Sequence, residues 1–375
     1  MGKQQKRKGD KLMKKRISVI MALVLAASVA ACGNKTSGDS TGTEPAQEPA
    51  VSETEGTETG EAASSGLEAV EPVTLKLAHI YAAEHPFTIG LDEFVEAVLK
   101  VSEGKLTIEH FSAAQLGDEP SIHEGLKNGT VDMAVMGISE AGKDYEPVLV
   151  MDAPFIFTDA EQMLAANESE IGQKLWTEFE AASGIRMMSP IYYGTRQLTT
   201  NRKVSSVAEL SGMKIRVPSQ ENSVAVWQTL GATPTPMNLS EVYLSLQTGV
   251  VDGQENPIAT IVSSGFTEVC DYMNMTSHSV QSCPLFISDS AYDALDPALR
   301  EILEECVAEY IPAISQSVME YEESMVNEIA AGGEMEVNRD VNVEEFRDKL
   351  ADYIKENESV WGEGVYDALS GVTAN

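Results

Sequence analysis

From residue 73 onward, short stretches with the period of a strand alternate with longer stretches with the period of a helix. Val73-Thr74-Leu75-Lys76-Leu77-Ala78-His79 alternates apolar and polar positions, as a half-buried strand does. Pro86 suits a first helical position, and Phe87, Leu91, Phe94, Val95 and Val98 then recur on one helical face. The pattern predicts a strand over 105–110, a short helix over 119–127 and a strand over 131–136. A second set follows, with a strand at 213–217, helices at 222–230 and 239–247, and a short strand at 250–252. Asp252-Gly253 and Asn256-Pro257 are turn-forming pairs and predict a polar turn after it. Strand-like pieces recur at 271–276 and 285–288. Residues 297–331 then keep a helical pattern interrupted only by Pro312, long enough for a kinked helix crossing two domains. Alternation of this kind predicts open α/β sheets.

The chain has 375 residues, 59 acidic and 26 basic, for a formal net charge of -33. Such a charge repels phosphate, which excludes nucleic acid as a partner, and it disfavours adsorption on anionic lipid. An acidic protein that captures an anion must hold positive charge locally, inside a cleft.

The N-terminus reads as a targeting segment. Lys14, Lys15 and Arg16 precede an uncharged run from Ile17 to Ala31. That run falls short of the about 20 residues a membrane-spanning helix needs. It ends in Val29-Ala30-Ala31-Cys32, which resembles a bacterial lipobox and predicts lipidation of Cys32. An uncleaved anchor is the alternative. Loss of residues 1–31 removes eight basic residues and one acid, leaving 18 basic and 58 acidic residues, net -40. Residues 32–71 are rich in Gly, Ser, Thr, Glu, Ala and Pro without an aromatic side chain, the composition of a disordered tether. After lipidation Cys270, Cys283 and Cys306 remain, and a Cys270–Cys283 pair is open. No spacing resembles a zinc site, and no P-loop, H-E-x-x-H or G-x-S-x-G pattern occurs. No cofactor and no enzymatic activity are expected.

Several motifs occur in a set order: Gln115-Leu116-Gly117-Asp118, Gly129-Thr130-Val131-Asp132, Tyr193-Gly194-Thr195-Arg196-Gln197 and Asn201-Arg202. The densest are Gly212-Met213-Lys214-Ile215-Arg216-Val217-Pro218 and the stretch from Gly231 through Gly253-Gln254-Glu255-Asn256-Pro257. In this order and spacing they resemble the solute-binding proteins of TRAP transporters, the DctP-like family, over roughly residues 73–370. The resemblance implies an α/β, two-lobed periplasmic-binding-protein-like fold with a long helix spanning both lobes. Beyond the signal peptide (1–31) and tether (32–71) read above, it divides the chain into lobe I (72–193 plus 282–320) and lobe II (194–281 plus 321–375). It implies capture of an organic acid, and TRAP membrane permease subunits driven by an ion gradient as partners. Arg216 would pair with the ligand carboxylate, Arg196 and Asn256 would assist, and Leu239 stands where the family often has an aromatic residue.

The residues support and qualify this. A guanidinium matches a carboxylate with two parallel hydrogen bonds, and Ile215, Val217 and Pro218 make the surroundings of Arg216 apolar. For Arg216 and Arg196 the alternative is a structural ion pair; for Asn256 it is a plain turn. His79, Tyr81 and His85 fall at the end of the first predicted strand, where α/β clefts form; a packed or capping histidine is the alternative. Glu119 is a candidate partner for ligand hydroxyls or an exposed helix-start acid, and Trp227 is read as core. The Gly194–Gln197 run with Asn201-Arg202 favours a sugar acid, with a C4-dicarboxylate or keto acid open. Two other classes stand beside this reading: the binding protein of an ATP-driven importer, and a lipid-anchored hydrolase.

Overall fold

The computed structural model describes residues 67–374 apart from Glu334. The signal peptide, Cys32 and the tether up to residue 66 lie outside the described residues. Leu67 and Val70 are buried in the core, and the Val70 carbonyl accepts a hydrogen bond from Lys105 Nζ at 2.8 Å. Residues 67–70, inside the segment read as tether, are thus packed, because two apolar side chains find a core to join.

In chain order the strands are β1 (Val73–Ala78), β2 (Leu106–Phe111), β3 (Met133–Val135), β4 (Ile185–Ser189), β5 (Tyr192–Thr200), β6 (Lys214–Val217), β7 (Thr233–Pro236), β8 (Gly253–Pro257), β9 (Tyr272–Ser282), β10 (Leu285–Ser288) and β11 (Glu336–Asn338). The α-helices are α1 (Pro86–Val101), α2 (Glu119–Asn128), α3 (Ile138–Ala141), α4 (Ala160–Glu168), α5 (Glu170–Ser183), α6 (Glu221–Thr229), α7 (Leu239–Gln247), α8 (Ile258–Ser263), α9 (Asp289–Ala294), α10 (Pro297–Gly332), α11 (Val343–Trp361) and α12 (Val365–Ser370).

Two sheets make two lobes. The first has the order β2-β1-β3-β10-β4 and the second β11-β9-β5-β8-β6-β7. In α1, Phe87, Leu91, Phe94 and Val98 are fully buried, and Val95 is half-buried beside them. Each such side chain contributes about 1.5–3 kcal/mol. His85 caps this helix by accepting from the Phe87 amide at 3.1 Å, and Pro86 takes the first turn, where no donor is required.

The segment expected to turn at 252–257 does not. Gly253–Pro257 is the strand, and all five residues are buried. It runs antiparallel to β5 and parallel to β6, so its backbone groups are laddered on both sides. Its polar side chains find partners as well: Gln254 Nε2 donates to Thr199 Oγ1 at 2.7 Å, and Glu255 pairs with Arg196. The predicted strand at 271–276 likewise extends through Ser282 as β9.

Chain continuity from β4 into β5, and from β9 into β10, carries two crossings between the sheets. Gly194 sits at the first, with φ +132°; a Cβ there would fall 2.5 Å from Glu322 Oε1 and from Pro257 Cβ. Glu322 comes from α10, a single helix that packs on α1 and β4 and also on β5, α8 and β11. Its carboxylate accepts from Tyr192 Oη at 2.7 Å, from the Thr195 amide at 3.2 Å and from the Ile258 amide at 3.4 Å. Pro312, inside α10, lacks the amide that would bond back one turn. Cys270, Cys283 and Cys306 are all free and buried, so the pair left open by the sequence is not formed.

Candidate ligand-binding cleft

A cavity of about 350 Å³ lies between the sheets and is lined from both. Its cationic wall comes from the second sheet. β6 is flanked by β7 and β8, which puts Arg216 opposite Thr235 and Gln254, one strand in from the sheet edge. Arg216 is 3% exposed; its Nε and Nη2 donate to the Met237 carbonyl at 3.0 and 2.7 Å. Among the described residues it forms no ion pair. Burial lowers its pKa to about 10, opposed by the more distant charge of Glu255, and the group stays cationic at neutral pH.

Arg196, on β5, has the opposite environment. Its Nε and Nη2 form a bidentate pair with the Glu255 carboxylate, Nη2 also reaches the Glu255 carbonyl at 2.7 Å, and Nη1 donates to Gln281 Oε1 at 2.8 Å. Burial would lower the pKa of Arg196, but the Glu255 charge and hydrogen bonds raise it. Burial likewise works against ionisation of Glu255, yet Arg196 and the hydrogen bond from His278 bring its carboxyl down to about 2. His278 Nε2 lies 3.1 Å from Glu255 Oε2, and its ring meets Trp227 edge-on at 5.3 Å.

Asn256 lines the cavity from β8. Its Oδ1 accepts from Tyr193 Oη at 3.1 Å and from Arg196 Nη2 at 3.3 Å, while Nδ2 donates to Gln254 Oε1 at 2.6 Å. One Nδ2 proton remains for a ligand. Leu239 opens α7 and is half-buried in the wall. The aromatic surface comes instead from Trp227, Tyr193, Tyr243 and, on α11, Tyr353 and Trp361.

From the first sheet come Tyr81 and Glu119. Tyr81 lines the cavity, with its hydroxyl 3.1 Å from Cys283 Sγ. Glu119 also lines it and accepts from the Gly137 amide at 3.1 Å. Burial and then the Glu140 charge push its carboxyl up to about 7. His79 is not part of the lining. Its Nδ1 accepts from the Tyr81 amide at 3.1 Å, and Nε2 faces His110 Nε2 at 2.7 Å, so the ring is spent inside the first lobe. His85 is held as the α1 cap, with Nε2 3.3 Å from Thr260 Oγ1. Trp227, read as core, is buried and also forms part of the wall.

Several direct contacts cross the cleft. Asn238 Nδ2 donates to Asp118 Oδ2 at 2.8 Å, Gln220 Nε2 to Glu140 Oε1 at 2.6 Å, and Asn222 Nδ2 to Ser139 Oγ at 3.1 Å. The two lobes are thus held together over the cavity. Asp152, from the first lobe, accepts from Ser139 Oγ at 2.8 Å and from Gln281 Nε2. Apart from Asp118, which ends one of the quoted motifs, sequence reasoning did not single out these residues, because isolated polar side chains carry no period or motif. Among the described residues no group of three or more His, Cys, Asp or Glu side chains is arranged to hold a metal ion.

A cleft between two α/β lobes with a buried arginine that has no ion-pair partner among the described residues suits an anionic solute. Residues 77–359 match the bacterial extracellular solute-binding protein family 7, DctP. The chain belongs to this family. A solute-binding protein of Roseobacter denitrificans is 36% identical to it over 235 residues, 62% of this chain and 72% of that protein. The sialic acid-binding periplasmic protein SiaP of Vibrio cholerae is 30% identical over 273 residues, 73% of this chain and 84% of SiaP. The crystal structure of the Roseobacter denitrificans protein with bound L-galactonate matches with a TM-score of 0.75 at 30% identity, covering 80% of this chain and 99% of that one. A TRAP periplasmic solute-binding protein of Polaromonas sp. JS666 bound to D-erythronate gives 0.76 at 26% identity, covering 81% and 100%. As a family 7 protein the chain has the two-lobed fold with its long helix, and members of the family are solute-binding proteins.

Proposed function

We propose that this family 7 protein captures a sugar acid outside the cytoplasm and delivers it to the membrane subunits of a TRAP transporter driven by an ion gradient. The observation that carries this is Arg216: a buried guanidinium in the cavity wall with no acid within ion-pair distance among the described residues, beside Arg196, which has one. An uncompensated buried charge is costly, so the site is complete only when an anion enters. A bidentate carboxylate fits the fork of a guanidinium. The relatives with bound L-galactonate and D-erythronate support a polyhydroxylated body behind that carboxylate. Membership in family 7 argues against an ATP-driven importer or a hydrolase.

The two lobes, taken as 72–193 plus 282–320 and 194–281 plus 321–375, close on the ligand. Arg216, Arg196 and Asn256 contribute from one side and Tyr81 and Glu119 from the other, with Leu239 in the wall. The protein is held at the membrane through lipid on Cys32. Calorimetry with L-galactonate, D-erythronate, pantoate and succinate tests the ligand class: a sugar acid binds tightest, and tightest binding of succinate would replace this reading with a dicarboxylate carrier. Cell fractionation of Cys32→Ser tests the anchor, since the variant should leave the membrane fraction.

A further inference from the structure

Within the cleft some polar atoms have no hydrogen-bond partner among the described residues. Gln220 Oε1, Ser279 Oγ and Ser282 Oγ are buried without a hydrogen bond, and all three residues line the cavity. Buried polar atoms in native proteins are nearly always satisfied, so three orphans around one cavity point to a ligand that satisfies them.

Gln220 is the informative one, because its orientation is dictated. It stands just before α6 in the second lobe, and its Nε2 reaches Glu140 Oε1 in the first at 2.6 Å. Glu140 is fully buried; Lys143 Nζ lies 2.7 Å from Oε2 and His123 Nδ1 3.6 Å from it. Burial opposes ionisation, but the hydrogen bonds from His123, Lys143 and Gln220 keep its carboxyl below the usual range. An ionised carboxylate only accepts. The amide must therefore give its NH2 to Glu140 and turn its carbonyl oxygen away. At this point of the wall the amide presents its carbonyl oxygen, an unsatisfied acceptor. A second ligand carboxylate is repelled there, and a ligand hydroxyl fits.

We propose that Gln220 is a specificity-determining residue that reads two things with one amide: its NH2 bridges the closed lobes to Glu140, and its carbonyl oxygen accepts from a hydroxyl of the bound acid. A hydroxyl in that position completes the bridge, so hydroxylated monocarboxylates close the cleft where dicarboxylates do not. This rests on the sugar-acid reading above.

The test is a ligand-by-variant cycle by calorimetry. It uses L-galactonate, or D-erythronate should that bind tighter, with the complete set of its monodeoxy analogues, against wild type and Gln220→Leu. In wild type one analogue should bind about tenfold more weakly than the parent, the loss of one buried hydrogen bond. In Gln220→Leu that difference should vanish, while penalties for the other analogues stay. Equal penalties in both proteins for every analogue overturn the proposal and leave the sugar-acid reading standing. Failure of wild type to bind any sugar acid overturns both. If Gln220→Leu does not fold, Glu140→Gln serves, because an amide partner lets Gln220 turn its NH2 to the cavity. Succinate should then gain affinity relative to the sugar acid, and an unchanged ratio overturns the proposal.

Discussion

Arg196 and Arg216 line one cavity, come from one sheet and are equally cut off from solvent, yet their surroundings differ in kind. Arg196 has a carboxylate in a bidentate grip, with further acceptors from Gln281 and Asn256. Arg216 has one backbone carbonyl. The electrostatics follow: the Glu255 charge raises the pKa of Arg196 against the effect of burial, whereas burial lowers that of Arg216. An ion pair completed within the protein is part of the fold, and breaking it strands a buried charge. A buried cation left without its acid is a site held ready for one from outside. Under the proposed function the carboxylate goes to Arg216, with Arg196 as the support that fixes Glu255 and Asn256 around it.

The largest effect that would break this comparison is at Arg216. Arg216→Ala should weaken binding of the preferred acid by more than about a hundredfold, the loss of about 3–5 kcal/mol when one partner of a buried pair is removed. Its melting temperature without ligand should hold or rise, because no protein acid is stranded. Arg216→Lys should also fail, since an ammonium cannot form the paired bonds. Unchanged affinity by calorimetry would exchange the roles of the two arginines. Arg196→Met should show the reverse pattern. It leaves Glu255 buried and uncompensated and should cost about 3–5 kcal/mol in urea denaturation. Adding Glu255→Gln should recover part of that loss, so that the two changes are not additive.

Acid titration sharpens the same contrast. The folded pKa of Glu255, about 2, lies below its unfolded value, so its contribution is fully present above about pH 4.5 and is lost as pH falls through about 2. The size is on the order of 3 kcal/mol. Wild type should therefore lose stability more steeply across that window than the Arg196→Met, Glu255→Gln protein. Equal slopes by denaturant titration would mean that the pair contributes nothing to the fold.

The sequence made the scaffold legible where pattern controls structure. The α1 stripe, the β1 alternation and the length of α10 all appear as read. It misread Asp252–Pro257, because turn propensity is local and the burial of β8 between β5 and β6 is not. Arg216 stood out because its neighbours are apolar and its motif is dense, and it lies buried in the cavity wall. The partner that occupies Arg196 was not, since Glu255 lies 59 residues away across a strand pair and is one acid among many. His79 misled for a related reason. The end of the strand was placed correctly, but the side a ring faces depends on His110, which only the sheet register brings alongside.

The smallest expected effect concerns the acid opposite the unpaired arginine. Glu119 is half-buried, and burial with the nearby Glu140 raises its carboxyl to about 7, while Arg216 and Arg196 pull it down. A ligand carboxylate on Arg216 cancels part of that pull, so the pKa of Glu119 must rise further on binding. Its raised value means that near neutral pH the free protein is partly ionised there and the complex is more protonated. Binding should therefore take up a fraction of a proton, and affinity should weaken by about threefold to tenfold as pH climbs from 7 to 8.5. Calorimetry at pH 7.5 in two buffers of different ionisation enthalpy measures the uptake directly. Glu119→Gln should abolish it and flatten the pH profile while leaving Arg216 in place. Proton release, or uptake that persists in Glu119→Gln, would show that the anion does not settle on Arg216 within reach of Glu119, and the contrast between the two arginines would lose its electrostatic footing.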